Sequence, residues 1–322
     1  MTTYDPKDAV PRVVVPTGPE VWRRHAQEHT VAQALDEDRP PLSARRRFMR
    51  RFLRQRVAIG ALIFLILLTL VAIFANVLAP YDPDATDLTD VFAPPSSEHW
   101  LGTDQLGRDV LSRLIVGTRV SLLAAVQAVA IGLAIGIVPG LIAGYAGRWV
   151  DSVTMRVADA IMAFPPLLLA ISFVAVRGPG LTTAMVAVGI VFAPRFARLV
   201  RGLVLSLREE TFVEASRSIG TPTRRILRRH ILPNVMSPLV VQVSLALGFA
   251  MLAEAALSFL GLGVTPPEAS WGSMLQTAYQ NISQSSFLAI PPGVAIMLTV
   301  LAFNLLGDGI RDSLGKEIRR ER

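Results

Sequence analysis

Residues 209 to 234 read EETFVEASRSIGTPTRRILRRHILPN, a polar and strongly basic stretch between hydrophobic stretches long enough to cross a bilayer. Its first half follows a helical pattern, and Glu209 and Glu210 fall in the first turn, where the helix dipole favours negative charge. Gly220 stands where a glycine commonly ends a helix, so it is expected to have either a positive φ or a tight approach that a side chain resists. We call residues 209 to 234 the elbow. A preformed helical part beside a membrane is typical of a docking site for another protein.

The second half of the elbow is predicted to be another short helix. Thr221 suits its N-cap, and Pro222 suits its first helical position. Pro233 is expected to end this helix, because proline lacks the N–H that a helix interior needs.

The composition places the chain among polytopic helical membrane proteins. Of its 322 residues, 52% are hydrophobic and 18% are charged, and the mean hydropathy is +0.46. Lipid admits only helices or closed barrels, and long unbroken apolar runs favour helices over the alternating strands of a barrel. A chain without cysteine has no disulfide, thiol catalysis or thiolate metal site. The net charge of +7 is better explained by arginines beside the spans than by nucleic-acid binding.

We predict an all-α polytopic protein with six transmembrane helices, at residues 57–79, 121–145, 158–176, 181–205, 235–262 and 289–306. The arginine-rich run before the first span places the N-terminus in the cytosol, and six spans return the C-terminus to the same side. The predicted regions are a disordered cytosolic tail (1–44), a basic anchor with the first span (45–79), an extracytoplasmic segment (80–119), a core of five spans that includes the loop 206–233 (120–308), and a cytosolic tail (309–322).

Three arginines conflict with this topology. Arg108, Arg113 and Arg119 lie in or beside the predicted extracytoplasmic segment, where the positive-inside rule disfavours them. Asp104 and Asp109 are expected to offset their charge locally.

The second span carries glycine at every fourth position, at Gly132, Gly136, Gly140 and Gly144. Such a stripe lets another helix approach closely, so it predicts a helix-packing face. General glycine richness is the alternative explanation.

The third and fourth spans each carry a distinctive feature. Pro165 and Pro166 are expected to kink the third span. Arg195, Arg198 and Arg201 lie three residues apart at the inner end of the fourth span, on one face at the cytosolic level, where they either anchor to lipid phosphates or pair with a neighbouring carboxylate.

Glu254 is the one acid within the fifth span, and Ser258 lies one turn further on the same face. Because an ionisable residue in a span is costly, Glu254 should face protein or a water-filled path. One interpretation places Glu254 and Ser258 on the translocation path. The other is an inter-helix hydrogen bond or ion pair that fixes packing against a partner subunit.

Catalytic signatures are missing from the sequence. It has no GxSxG elbow, no HExxH and no Walker A loop, so the chain is not expected to hydrolyse ATP. The sequence has four histidines, and no two of them have the spacing typical of metal ligands. They are His25, His29, His99 and His230.

The elbow resembles the EAA loop of bacterial ABC-importer permeases. The matching residues are Glu214-Ala215-Ser216, Gly220 and Ile231-Leu232-Pro233, with serine in place of the second alanine. Among these permeases the chain is similar to the DppC/OppC-type subunit of dipeptide, oligopeptide and nickel importers. The supporting strings are HWLGTD (99–104), GRD (107–109), RRHILPN (228–234), LSFLGLG (257–263), WG (271–272), FNLLGD (303–308) and RD (311–312). An Asp-Pro usually follows the last string, whereas Ser313-Leu314-Gly315 stands here.

The resemblance implies a type I ABC-importer permease core in the bacterial cytoplasmic (inner) membrane. It implies a second homologous permease, one or two ABC ATPase subunits, and an extracytoplasmic substrate-binding protein as partners, with membrane lipid around them. ATP and Mg²⁺ would be bound by the ATPases, and no cofactor or metal by this chain.

The resemblance also assigns roles within the elbow. Contact with the ATPase would fall to Glu210, Val213, Glu214, Ala215, Ser218, Ile219 and Gly220. Glu214 would also stabilise the loop through hydrogen bonds to backbone or arginine. The shape of the loop would depend on Arg228, His230, Leu232 and Pro233.

Two functions remain open from the sequence. The first is a permease subunit of an ATP-driven importer for peptides, with dipeptide, longer peptide, glutathione-like peptide or nickel as the substrate. The second is a membrane protein outside transport, such as an integral enzyme or a scaffold. An enzyme would need converging polar groups within the spans, and the main candidates, Glu254, Gln127, Arg156 and Asp159, are dispersed.

Overall fold

The computed structural model describes residues 44 to 318, and within them it is helical, without a β-strand. The helices are α1 (Ala44–Phe52), α2 (Arg56–Ile73), α3 (Ala75–Leu78), α4 (Val110–Ala146), α5 (Arg148–Met162), α6 (Pro166–Arg177), α7 (Leu181–Leu207), α8 (Thr211–Ser218), α9 (Thr223–Ile226), α10 (Leu232–Phe259), α11 (Trp271–Gln280) and α12 (Ile290–Ile318). A π-helical turn covers Leu227–Ile231 and a 3₁₀ turn covers Ser286–Ala289.

Five helical stretches of the described chain are long and apolar enough to span a membrane, namely Arg56–Ile73, Val110–Ala146, Leu181–Leu207, Thr223–Phe259 and Ser286–Leu314. Helices α5 and α6 together form a sixth candidate, bent by 87°. The all-α polytopic class predicted from the sequence is therefore confirmed.

Helices α4 and α7 form the most closely packed pair of the bundle. The glycine stripe of α4 lies against α7, where the backbones approach so closely that a side chain has no room. A Cβ built on Gly136 would lie 2.5 Å from the backbone oxygen of Ala193, and one on Gly140 would lie 2.6 Å from that of Ala197. The packing face that the stripe predicts thus meets a helix of the same chain.

The third predicted span, residues 158–176, differs from its prediction. The stretch between the second and third predicted spans is helical from Arg148, and two helices, α5 and α6, meet at 87°. The cause is Pro166, which disfavours helical backbone in the residue before it, and Pro165 accordingly has an extended ψ of 126°. The two prolines therefore break the helix, where only a kink was expected.

Ion pairs attach α5 to α7. The guanidinium of Arg201 donates to both carboxylate oxygens of Asp151, with Nη2 at 2.6 Å from Oδ2. Arg198 Nη2 donates to Asp159 Oδ1 at 2.7 Å. For these two arginines the structure selects the carboxylate alternative over lipid phosphate, whereas Arg195 forms no such pair within the described chain.

The segment between α3 and α4, which we call the cap (residues 80–109), is held by ion pairs, of which Arg108–Asp104 is buried. Arg108 Nε donates to Asp104 Oδ2 at 2.8 Å, and Arg113 Nη1 donates to Asp84 Oδ1 at 3.0 Å. Arg119 Nε donates to the backbone oxygen of Ala72 at 2.8 Å. The three arginines that conflict with the positive-inside rule are thus held by local acceptors, and residues 110–119, predicted to be part of a loop, already belong to α4.

Asp109 has a structural role at the start of α4. It is the N-cap, and its Oδ2 accepts hydrogen bonds of 2.7 Å from the backbone and the hydroxyl of Ser112. His99 Nδ1 lies 2.9 Å from the other oxygen of this carboxylate. Asp109 therefore ties the HWLGTD string to the helix and does not neutralise an arginine.

The last helix extends beyond its predicted end. Residues 309–318, expected to be a polar tail, continue α12 as far as Ile318. This extension packs on the start of α2, where a Cβ on Gly309 would lie 2.3 Å from the Cβ of Ala58 and Gln55 Nε2 donates to Ser313 Oγ at 3.4 Å. The predicted tail of residues 1–44 lies outside the described residues apart from Ala44.

Candidate coupling and transport sites

The first half of the elbow is α8 and the turn that ends it. Gly220 has a φ of +76°, as the sequence predicts. The N–H of Thr221 donates to the oxygen of Ser216 at 3.1 Å, and the N–H of Gly220 donates to that of Arg217 at 2.9 Å. These two bonds form a Schellman motif, which satisfies the last carbonyls of the helix.

The start of each elbow helix is displaced from its prediction. Glu209 and Glu210 precede α8, with Glu210 as the N-cap, and Glu214 is the acid in the first turn. Pro222 is the N-cap of α9, so the helix begins at Thr223 and Thr221 is one residue too early for the role expected of it.

The exposed face of α8 carries most of the residues that the resemblance assigns to ATPase contact. Exposed positions are Glu210, Glu214, Ala215, Ser218, Ile219 and Gly220. The side chain of Ile219, at the end of α8, is 82% exposed.

Two expectations for α8 are wrong. Val213 is fully buried, because it points into the core and anchors the helix, so it faces no partner. Glu214 was expected to form hydrogen bonds that stabilise the loop, but its side chain is exposed and has no such bond within residues 44–318.

The second half of the elbow is continuous with the fifth span. Pro233 does not end a helix. It lies in the first turn of α10, directly after the π-helical turn Leu227–Ile231, in which the N–H of Leu232 donates to the oxygen of Leu227. The wider turn accommodates a residue that lacks an N–H and whose ring would crowd the preceding turn of an α-helix.

The other loop residues occupy different environments. The ring of His230 lies 6.3 Å from that of Phe212, which links the π turn to α8. Leu232 is partly buried, and Arg228 is exposed.

Sequence reasoning missed the contacts that fix the elbow to the bundle. Ile226 and Ile231 are buried in the core. The signal in the sequence is that these two apolar residues lie on either side of a basic run. The guanidinium of Arg217 lies 4.9 Å from the ring centre of Tyr145 at the end of α4, and its Nε donates to the hydroxyl of that tyrosine at 3.2 Å. The elbow is thus a rigid projection with an exposed face.

Glu254 lies at the other end of α10, fully buried within this chain. Ser258 Oγ donates to its Oε1 at 2.8 Å, while Oε2 is buried without a hydrogen-bond partner in the described chain. Ser121 of α4 and Ser270, the N-cap of α11, also lie beside this carboxyl. The carboxyl therefore lies where three elements of one subunit meet, and packing against a partner permease stays a prediction.

The described residues contain no cluster of three His, Asp or Glu side chains that could hold a metal ion. Asp151 and Asp159 are paired with Arg201 and Arg198 of the neighbouring helix, so these polar groups serve contacts between helices.

Comparison with known proteins identifies the family. A family model described as the binding-protein-dependent transport system inner membrane component matches residues 136–320. A second model, the N-terminal TM domain of oligopeptide transport permease C, matches residues 43–95.

Curated relatives match over nearly the whole chain. The glutathione transport system permease protein GsiD of Pectobacterium atrosepticum is 47% identical over 300 residues, which cover 92% of this chain and 99% of that protein. GsiD of Escherichia coli O157:H7 is also 47% identical, with coverage of 92% and 98%.

A solved structure shares the fold. An inward-facing form of the MetNI methionine ABC transporter aligns with a TM-score of 0.52 and 21% identity over 63% of this chain and 97% of that chain. It has the type I permease fold, which the helical bundle and its elbow reproduce. This chain belongs to the inner-membrane components of binding-protein-dependent transport systems and is a non-catalytic ABC-importer permease of the DppC/OppC type.

Proposed function

We propose that this chain is one of two permease subunits of an importer that moves glutathione or a closely related short peptide into the cytoplasm. As a multi-pass inner-membrane permease of an ABC importer, it works with ATPase and binding-protein partners. The identity of 47% to permeases named for glutathione, over 92% of this chain, supports the substrate. Glutathione is itself a tripeptide, so this proposal narrows the peptide class that the sequence indicates.

The elbow is the observation that carries the coupling role. Its exposed face is held rigidly by Val213, Ile226 and Ile231, and it presents Ile219 outward. A groove on an ATPase subunit would bury this side chain and receive the force of ATP-driven closure. The second permease, which would supply a second elbow, and one or two ATPases, which would bind ATP and Mg²⁺, complete the proposed assembly. This chain itself would bind no cofactor.

Uptake by the purified complex tests the substrate. The chain is co-expressed with its genomic neighbours, purified with the subunits that remain bound, and reconstituted in liposomes that contain ATP. We expect accumulation of labelled glutathione, dependent on ATP and on the binding protein. Accumulation of a dipeptide or Ni²⁺ in its place would contradict glutathione as the substrate while leaving the importer role intact.

A substitution of Gly220 tests the coupling role of the elbow. No atom lies within 4 Å of a Cβ built on Gly220, so its positive φ alone disfavours a side chain. The left-handed backbone costs about 1–2 kcal/mol for a residue with a Cβ, and a β-branched residue is the least suited to it. We expect Gly220→Val to insert in the membrane but to lose ATP-dependent uptake.

The matched control is Gly202→Val in α7, at a glycine that is also exposed and open but helical. It should retain uptake. Normal transport by Gly220→Val would remove the role assigned to the turn.

A further inference from the structure

A cleft between α6, α7 and α10 contains an arginine that the coupling role does not use. The cleft has a volume of about 310 Å³, and its walls include Pro166, Leu167, Val191, Phe249 and Leu252. Arg195 is the one charged side chain among the residues that line it. The cleft is thus an apolar cavity with a single positive group.

Arg195 differs from its two neighbours on α7. Arg198 and Arg201 are paired with Asp159 and Asp151, whereas Arg195 has no ion pair or hydrogen bond to the described chain. Its guanidinium carbon lies 5.9 Å from the ring centre of Phe249, which holds the charged group at the cleft. The five N–H donors of this guanidinium are therefore available to a ligand.

Arg195 lies in the middle third of α7, further from the end of the helix at Leu207 than the paired Arg198 and Arg201. Arg195 lies 14 residues after the first residue of α7, Leu181, and 12 before its last, Leu207. At 1.5 Å per residue it lies about 21 Å from the Leu181 end and about 18 Å from the Leu207 end of the helix, which at about 40 Å is longer than the hydrocarbon core of about 30 Å. An unpaired charge at this depth is costly and typically marks a substrate path.

We propose that Arg195, stacked on Phe249, binds a carboxylate of the substrate as it crosses the membrane. The planar guanidinium matches a carboxylate with two parallel hydrogen bonds, and Arg195 is exposed, so a ligand can reach it. Short peptides carry a terminal carboxylate, and glutathione carries two. This inference rests on the proposed function, because it needs a substrate with a carboxylate.

Transport by the reconstituted complex tests this site. The initial rate of uptake is measured against the concentration of glutathione-loaded binding protein for wild type, Arg195→Gln and Arg195→Lys. We expect Arg195→Gln to lower the maximal rate about tenfold, the effect of losing a charged hydrogen bond. The half-saturating concentration should stay unchanged, because the binding protein docks outside the membrane. Lysine keeps the charge and should restore part of the rate.

Two controls separate this role from structure. Arg198→Gln removes an arginine one turn away that is paired with Asp159, and its uptake should stay close to that of wild type. Binding-protein-stimulated ATP hydrolysis by Arg195→Gln should persist, which shows that its subunits assemble and respond.

Three outcomes contradict the inference, each in its own way. Unchanged uptake by Arg195→Gln shows that the arginine meets no substrate. Loss of the second permease on purification of Arg195→Gln, with retention in Arg195→Lys, assigns Arg195 to an ion pair between subunits. If the wild-type complex moves dipeptide or Ni²⁺ but no glutathione, the proposed substrate is contradicted. Unchanged dipeptide uptake by Arg195→Gln would then also reject Arg195 as a carboxylate site.

Discussion

Glu254 shows how a buried acid can serve the structure of a transporter. Its carboxyl accepts a hydrogen bond from Ser258 and lies beside hydroxyls from α4 and the start of α11. Gly272 in α11 approaches the same place so closely that a Cβ would lie 2.7 Å from Cα of Ala255. These contacts support a packing role for Glu254 and leave no open path beside it, and the role stays a prediction until transport is measured.

We therefore expect Glu254→Gln to transport at nearly the wild-type rate, because the amide keeps the shape and still accepts a hydrogen bond from Ser258. Glu254→Leu should destabilise the subunit by about 1–3 kcal/mol, since it leaves buried hydroxyls without an acceptor. Thermal unfolding of the purified complex and uptake in liposomes measure the two effects. If Glu254→Gln assembles normally but transport stalls, Glu254 acts on the path.

At the scale of the helices, the close packing of α4 on α7 depends on glycines, which have no side chain. Gly136 illustrates this, because a Cβ there would lie 2.5 Å from the oxygen of Ala193 and 2.8 Å from the Cβ of Phe196. Backbone atoms cannot move away as a flexible side chain can, so the helices must separate to admit a larger residue.

We expect Gly136→Val to reduce the stability of the subunit by about 1–3 kcal/mol, the usual cost of overpacking. The yield and thermal unfolding temperature of the detergent-purified subunit measure the change. Gly60→Val in α2 is the matched control, because a Cβ at Gly60 meets no atom within 4 Å. Equal losses in both variants would show that glycine content, and not this packing face, matters.

The sequence predicted the helices better than their interruptions. Apolar runs and arginine clusters located the spans, and the positive φ of Gly220 followed from its place after a helical pattern. The predictions for the prolines were wrong, since the chain bends by 87° at Pro165 and Pro166 and the helix continues through Pro233. A proline kinks, breaks or starts a helix according to its packing. The buried state of Val213 was also missed, since which face of a short helix meets the bundle depends on tertiary contacts.

At the scale of the whole molecule, the two polar ends of the bundle are structurally distinct. The start of α4, beside the cap, joins the loop before α11 through a hydrogen bond of 3.2 Å from Arg113 to the backbone oxygen of Pro267. The elbow lies at the other end and joins α4 through Tyr145 and Arg217. We predict that the elbow and both termini face the cytosol and that the cap faces outward, because Arg108 of the cap is paired with Asp104, whereas the arginines of the elbow form no ion pair within the described chain.

Cysteine labelling tests this orientation, because the chain has no native cysteine. Asp104 and Trp271, expected on the outer side, are buried and would be poor labelling positions. Ser97 and Ser218 are both exposed serines, one in the cap and one in the elbow, so Ser97→Cys and Ser218→Cys form a matched pair. In cells whose outer envelope has been made permeable but whose inner membrane is intact, a membrane-impermeant maleimide should label Ser97→Cys. It should label Ser218→Cys only after the inner membrane has been permeabilised. The reverse pattern would invert the molecule, and the elbow would then face away from any cytosolic ATPase. If both variants are labelled from outside, the chain crosses the membrane an even number of times between residues 97 and 218, and the prediction of three crossings is wrong. The bent pair α5 and α6 is the place where a crossing would be gained or lost.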